Sequence, residues 1–116
     1  MSNSNSSIIS SIEEQTGVLY DPDEETISFS GSGNSTDHFV SLFEYLVNSG
    51  FISKSDLPFS AKRAQNRYIL NTEPSHEDRQ MIRPNEVGEG IYLETNHDNE
   101  SKKRYCKKAI EDFVLK

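Results

Sequence analysis

The chain has 116 residues, a formal net charge of −7 and a mean hydropathy of −0.72. That length predicts one domain with a small core, and the acidic balance excludes a uniformly basic nucleic-acid binder. The charge is uneven: from Lys102 onward six basic residues face two acidic ones, whereas residues 1–101 carry six basic and seventeen acidic, so a basic end follows an acidic body.

A single cysteine, Cys106, excludes an intrachain disulfide and suits a reducing compartment. It falls on an apolar helix face, where an inert thiol is expected. Residues 1–7 are rich in Ser and Asn, with no basic segment leading into an apolar one, so no signal peptide is expected. The longest apolar stretch, Phe39 to Val47, is broken by Ser41 and Glu44 and is too short to span a bilayer. The expected setting is soluble and cytoplasmic, with no membrane partner.

Residues 1–7 read as a disordered tail, because they have little to bury against their ordering entropy. Ile8 to Gln15 has apolar residues at 8, 9 and 12, the spacing of a short helix that Gly17 would end. Val18–Tyr20 and Thr26–Phe29 flank Asp21-Pro22-Asp23-Glu24, a turn sequence, and predict a β-hairpin. Ser30 to Asn34 reads S-G-S-G-N. A glycine-rich loop before a helix can cradle phosphate. This one lacks a nearby lysine and both the Walker and dinucleotide spacings, so a plain linker is the reading.

Ser35 or Thr36 is the expected cap of a helix over Asp37 to Ser49. Phe39, Leu42, Phe43, Leu46 and Val47 form its apolar stripe. Gly50 ends it, with Phe51 or Ile52 folding back. His38, in the first turn, reads as a solvated residue. Lys54 to Pro58 holds a short helical turn, and Ser60 to Asn66 has the composition of another helix. Arg67 to Thr72 predicts a strand. Glu73 to Gly88 predicts a long polar loop, because Pro74 and Pro84 argue against a strand. Ile91 to Thr95 predicts a last strand. A final helix from Asp98 or Asn99 to about Leu115 would bury Tyr105, Cys106, Ala109, Ile110 and Phe113. Lys103, Arg104, Lys107 and Lys108 would gather opposite.

These elements predict a single α+β domain over residues 8–116. The early hairpin and the later strand pair would join in one antiparallel sheet, with the 37–49 and 99–115 helices on one face. A winged-helix-like order is the alternative.

Three function classes compete. In a nucleic-acid reading, Lys62, Arg63, Gln65 and Arg67 would approach bases or phosphates, residues 73–90 would form the wing, and Lys103, Arg104, Lys107 and Lys108 would add phosphate contacts. In an enzyme reading of hydrolase or nuclease type, His76 and His97 would work with nearby carboxylates such as Glu73, Asp78 and Glu94. In a protein-interaction reading, the basic helix would dock on an acidic partner or on a second copy. Gly90-Ile91-Tyr92 and Glu100-Ser101-Lys102 match nuclease signatures over three residues each and lack the remainder. No metal-ligand spacing or cofactor motif is present. The reading chosen is a non-enzymatic binding module, with nucleic acid ahead of an acidic protein partner and a small enzyme as runner-up.

Overall fold

A computed structural model of the chain describes residues 3–30, 34–60, 68–76 and 79–115, with the backbone alone for residues 3–6. Helix α1 spans Asn3–Thr16, so it begins ahead of the expected Ile8. Ile12 is fully covered, and the Thr16 hydroxyl donates to the Ile12 carbonyl at 2.6 Å in the last turn. Strands β1 (Val18–Asp21) and β2 (Thr26–Phe29) form the predicted hairpin, with Val18 opposite Phe29 and Tyr20 opposite Ile27. Asp21 shapes the turn as its sequence suggests, accepting from the Asp23 N–H at 2.9 Å.

Helix α2 runs over Ser35–Asn48. Its cap is Asn34, not Ser35 or Thr36: the Asn34 side chain accepts from the Asp37 N–H at 2.8 Å. Phe39, Leu42, Phe43 and Leu46 are fully buried, which makes this helix the centre of the core. Gly50, at φ +85°, closes it as expected. The Gly50 N–H donates to Val47 O and the Phe51 N–H to Leu46 O, the paired bonds of a Schellman end. A 3-10 turn at Lys54–Asp56 follows, boxed by Ser53 and Asp56.

Strands β3 (Phe59–Ser60), β4 (Tyr68–Asn71), β5 (Pro84–Gly88) and β6 (Ile91–Glu94) make a second antiparallel sheet in the order β3-β4-β6-β5. The two short apolar runs are therefore neighbours, with Leu70 opposite Leu93. The hairpin β1-β2 stays separate, so among the described residues there are two sheets where one was expected. Ser60 belongs to a strand; the rest of the helix expected over 60–66 lies outside the described residues. The 84–88 stretch, expected as loop, is a strand. Pro84 is its first residue on a sheet edge, where a missing N–H breaks no ladder. Gly88 faces α2 so closely that a Cβ there would lie 2.5 Å from Val47 Cγ1.

Helix α3 covers Asn99–Ala109 and continues with wider π-type turns over Ile110–Val114. Asp98 caps it, accepting from the Ser101 N–H at 2.7 Å. Cys106, Ala109 and Ile110 are buried as expected. Tyr105 and Phe113 are only half-buried, and Lys102 and Val114 are buried in their stead. The architecture is α+β, with a radius of gyration of 13.4 Å. Among the described residues no helix is long and apolar enough to cross a membrane.

Candidate functional site

The loop between β4 and β5 is folded around one carboxylate. Glu94, the last residue of β6, is buried. Its Oε1 accepts from the Ile82 N–H at 2.8 Å and from His76 Nε2 at 3.0 Å. Its Oε2 accepts from the Arg83 N–H at 2.7 Å and the Asn96 N–H at 3.4 Å. Burial alone would raise the carboxyl pKa. The N–H donors of Ile82 and Arg83, with His76, reverse that and hold it below the usual value.

His76 is fixed from both sides. Its Nδ1 accepts from the Tyr68 N–H at 2.8 Å, so that nitrogen bears no hydrogen and Nε2 carries the one given to Glu94. The ring thus ties the start of β4 to the end of β6. Within the loop, the His76 N–H donates to Arg79 O at 2.6 Å and the Met81 N–H to Pro74 O at 3.0 Å. Asn71 Nδ2 donates to Ser75 O at 2.8 Å. The Thr95 hydroxyl donates to Arg83 O at 2.8 Å, and Met81 is tucked inside. Outward, the loop shows Arg79, Gln80, Ile82 and Arg83. Ile82, at 60% exposure, is the one large apolar side chain so exposed among the described residues.

His97 does not join this group. It is wedged edge-on between Tyr105, 4.8 Å between ring centroids, and Phe39, 5.9 Å away. Its Nε2 is buried without a partner among the described residues. Burial lowers its pKa, while the Glu94 charge pulls the other way. His38, expected in water, is half-buried: Nδ1 donates to Thr16 O at 3.1 Å and the ring stacks on Phe29. Among the described residues no three His, Cys, Asp or Glu side chains gather as a metal-holding group.

The basic residues divide. Lys62, Arg63, Gln65 and Arg67 lie outside the described residues. On α3, Lys107 pairs with Glu111 at 3.2 Å and reaches Glu25 at 3.9 Å, and Lys108 pairs with Asp112 at 3.0 Å. Lys103 is half-buried. Arg104 is exposed, with its guanidinium carbon 5.9 Å from the Tyr105 ring centroid. Neither makes an ion pair among the described residues.

The sequence reading missed Lys102. It is buried between α3 and the start of α2, donating to Thr36 Oγ1 at 2.7 Å and Ser35 Oγ at 3.3 Å. A signal was available, because position 102 lies one helical turn before Cys106 on the same face. The Cys106 thiol is buried as expected, and burial pushes its pKa far up. The sequence matches no protein-family model, and no curated protein or solved structure matches it.

Proposed function

We propose that the protein is a non-catalytic binding module that presents the Arg79–Arg83 turn to a protein partner. One observation carries this reading: Ile82 stands exposed between two exposed arginines, on a loop whose shape is fixed from beneath by Glu94 and His76. A fixed loop loses little conformational freedom on binding, and arginine beside an apolar anchor is a frequent composition of binding hot spots. The use made of His76 and Glu94 also favours binding over catalysis. Both ring nitrogens and both carboxylate oxygens are engaged by hydrogen bonds within the fold. A general base needs a free lone pair facing a substrate. The single, buried Cys106 suits a reducing, cytoplasmic setting.

The test compares wild type with Ile82→Asp and Arg83→Ala in affinity purification from a native extract, with quantitative mass spectrometry and light scattering of the purified protein. A partner held by wild type and lost by both variants agrees with the proposal. A wild-type dimer that Ile82→Asp dissolves makes the partner a second copy. A partner set and mass unchanged by both variants sinks it.

Nucleic acid remains a second reading on a narrower base than the sequence suggested. Of the four basic residues expected on the outer side of α3, Lys103 and Arg104 make no ion pair among the described residues, whereas Lys107 and Lys108 are engaged within the chain. Fluorescence anisotropy with duplex and single-stranded DNA, comparing wild type with the Lys103→Ala/Arg104→Ala variant, decides it. Absence of binding at low salt removes this reading.

A further inference from the structure

A partner can read the Arg79–Arg83 turn only through its side chains. The Ile82 and Arg83 N–H groups donate to the Glu94 carboxylate at 2.8 and 2.7 Å, and the next residue, Pro84, has no N–H. The Met81 N–H donates to Pro74 O at 3.0 Å, and Arg79 O accepts from the His76 N–H. Arg83 O accepts both the N–H and the hydroxyl of Thr95. An added strand would find little backbone to pair with here. Recognition falls to Arg79, Gln80, Ile82 and Arg83, which are exposed.

These side chains set the chemistry of the complement. Residues 79–83 hold two cations and no acid. Neither arginine makes an ion pair among the described residues. A guanidinium fork matches a carboxylate in geometry and charge, and Ile82 asks for an apolar side chain beside it. A second copy of the chain meets these demands poorly. A two-fold contact of Ile82 on Ile82 would gather four guanidinium groups, and like charges across an interface are costly. A contact with another face would offer acids to the arginines. It would set Ile82 on polar surface, because no other large apolar side chain is so exposed among the described residues. The overall charge of −7 repels a broadly acidic surface. A short segment avoids most of that repulsion, since screening confines charge effects to about 8 Å at physiological salt.

We propose that the occupant of the Arg79–Arg83 turn is a short acidic peptide segment of a different protein, with carboxylates on either side of an apolar residue; this rests on the turn being the binding surface. The apolar residue packs on Ile82, and the carboxylates take Arg79 and Arg83. Water is displaced around the two charge pairs, which strengthens them relative to open surface pairs. Glu94 and His76 hold the turn from beneath, so the peptide alone loses freedom on binding.

The experiment is selection of displayed random peptides on the full chain, on Ile82→Ser and on Arg79→Glu/Arg83→Glu. Ile82→Ser adds no charge beside Glu94, and an amide NMR spectrum of each variant reports its folding. Wild type should enrich peptides with Asp or Glu on both sides of Leu, Ile, Val or Phe. The charge-reversed variant should enrich Lys and Arg around the same apolar residues. A synthetic peptide of the enriched sequence, followed by fluorescence anisotropy, should bind Ile82→Ser and Arg83→Ala roughly tenfold or more weakly. Basic or uncharged peptides enriched by wild type and lost in Ile82→Ser would overturn the acidic partner and leave the turn as the binding surface. A wild-type dimer in light scattering that Ile82→Ser dissolves would do the same, with a second copy as occupant. Duplex DNA binding lost in Arg79→Glu/Arg83→Glu but kept in Ile82→Ser would assign the arginines to phosphates and overturn it. Enrichment identical in wild type and both variants would remove the turn itself. No enrichment over an unrelated protein would overturn a linear segment as the occupant, whatever the affinity purification returns.

Discussion

A carboxylate is tolerated inside a protein when donors surround it. Glu94 has three backbone N–H groups and one imidazole N–H: those of Ile82, Arg83 and His76 come from the loop it organises, and that of Asn96 from the residues just after it. Glu94→Ala leaves those donors without an acceptor, so a loss of about 3 kcal/mol or more is expected. Urea unfolding measures the loss, and hydrogen exchange at Ile82 and Arg83 should accelerate with it. A loss under about 1 kcal/mol would mean that water replaces the carboxylate without penalty. The acid response should come in two stages. Burial holds the His97 pKa below its ordinary 6.5, so the unfolded chain binds more protons there, and stability falls as pH drops through 6.5 toward the folded value. His97→Phe should flatten that stage. Glu94, held below its ordinary 4.5 despite burial, contributes stability that is present above 4.5 and is lost as pH falls through its folded value. Denaturant midpoints across pH 3 to 8 would check both stages. A midpoint curve unchanged in His97→Phe would show that His97 protonates freely. Sequence alone placed His76, His97 and Glu94 among the polar residues of adjoining strands and loops. It could not pair them, because pairing depends on which way each side chain turns and on backbone donors that no residue name reveals.

At the scale of elements, legibility followed periodicity. The 3.6-residue stripe of α2 and the alternation in β1-β2 were readable because each lies within a single element. The α2 start was read one residue late or more, since Asn, Ser and Thr all cap well and stand side by side. Strand β5 was hidden, because proline argues against a strand unless its missing N–H faces no neighbour. That condition depends on strand order in the finished sheet. The same residue makes the β5 edge a poor template for another strand. Gly88 was read only as the end of the expected 73–88 loop, yet its lack of a side chain lets β5 lie against α2. Gly88→Ala would set a Cβ 2.5 Å from Val47 Cγ1. The expected loss is about 1–3 kcal/mol, as for overpacking. Val47→Ala in the same chain should restore most of it. Additive losses in a double-mutant cycle would place the strain elsewhere.

Over the whole molecule, the acidic body and the basic end meet inside one chain. Lys107 joins α3 to Glu25 beside the early hairpin, and Tyr20 of β1 donates to Glu111 at 3.3 Å. That hairpin therefore lies against the last helix instead of extending the larger sheet. Exposed pairs of this kind contribute little, roughly 0–1 kcal/mol each. Their larger consequence is for binding, because a cation already paired releases fewer counterions when it meets a phosphate backbone. The salt dependence of any DNA binding therefore counts the cations that take part. With Lys103 and Arg104 alone, a plot of log affinity against log salt should have a slope of about −2 for duplex DNA. If Lys62, Arg63 and Arg67 join them, the slope steepens to roughly −4 to −5. Anisotropy titrations across a series of salt concentrations distinguish the two. The Lys103→Ala/Arg104→Ala variant should abolish binding in the first case and flatten the slope by about two in the second. A slope near zero in wild type would remove phosphate contacts from the account and leave the locked Ile82 turn as the surface that recognises a partner.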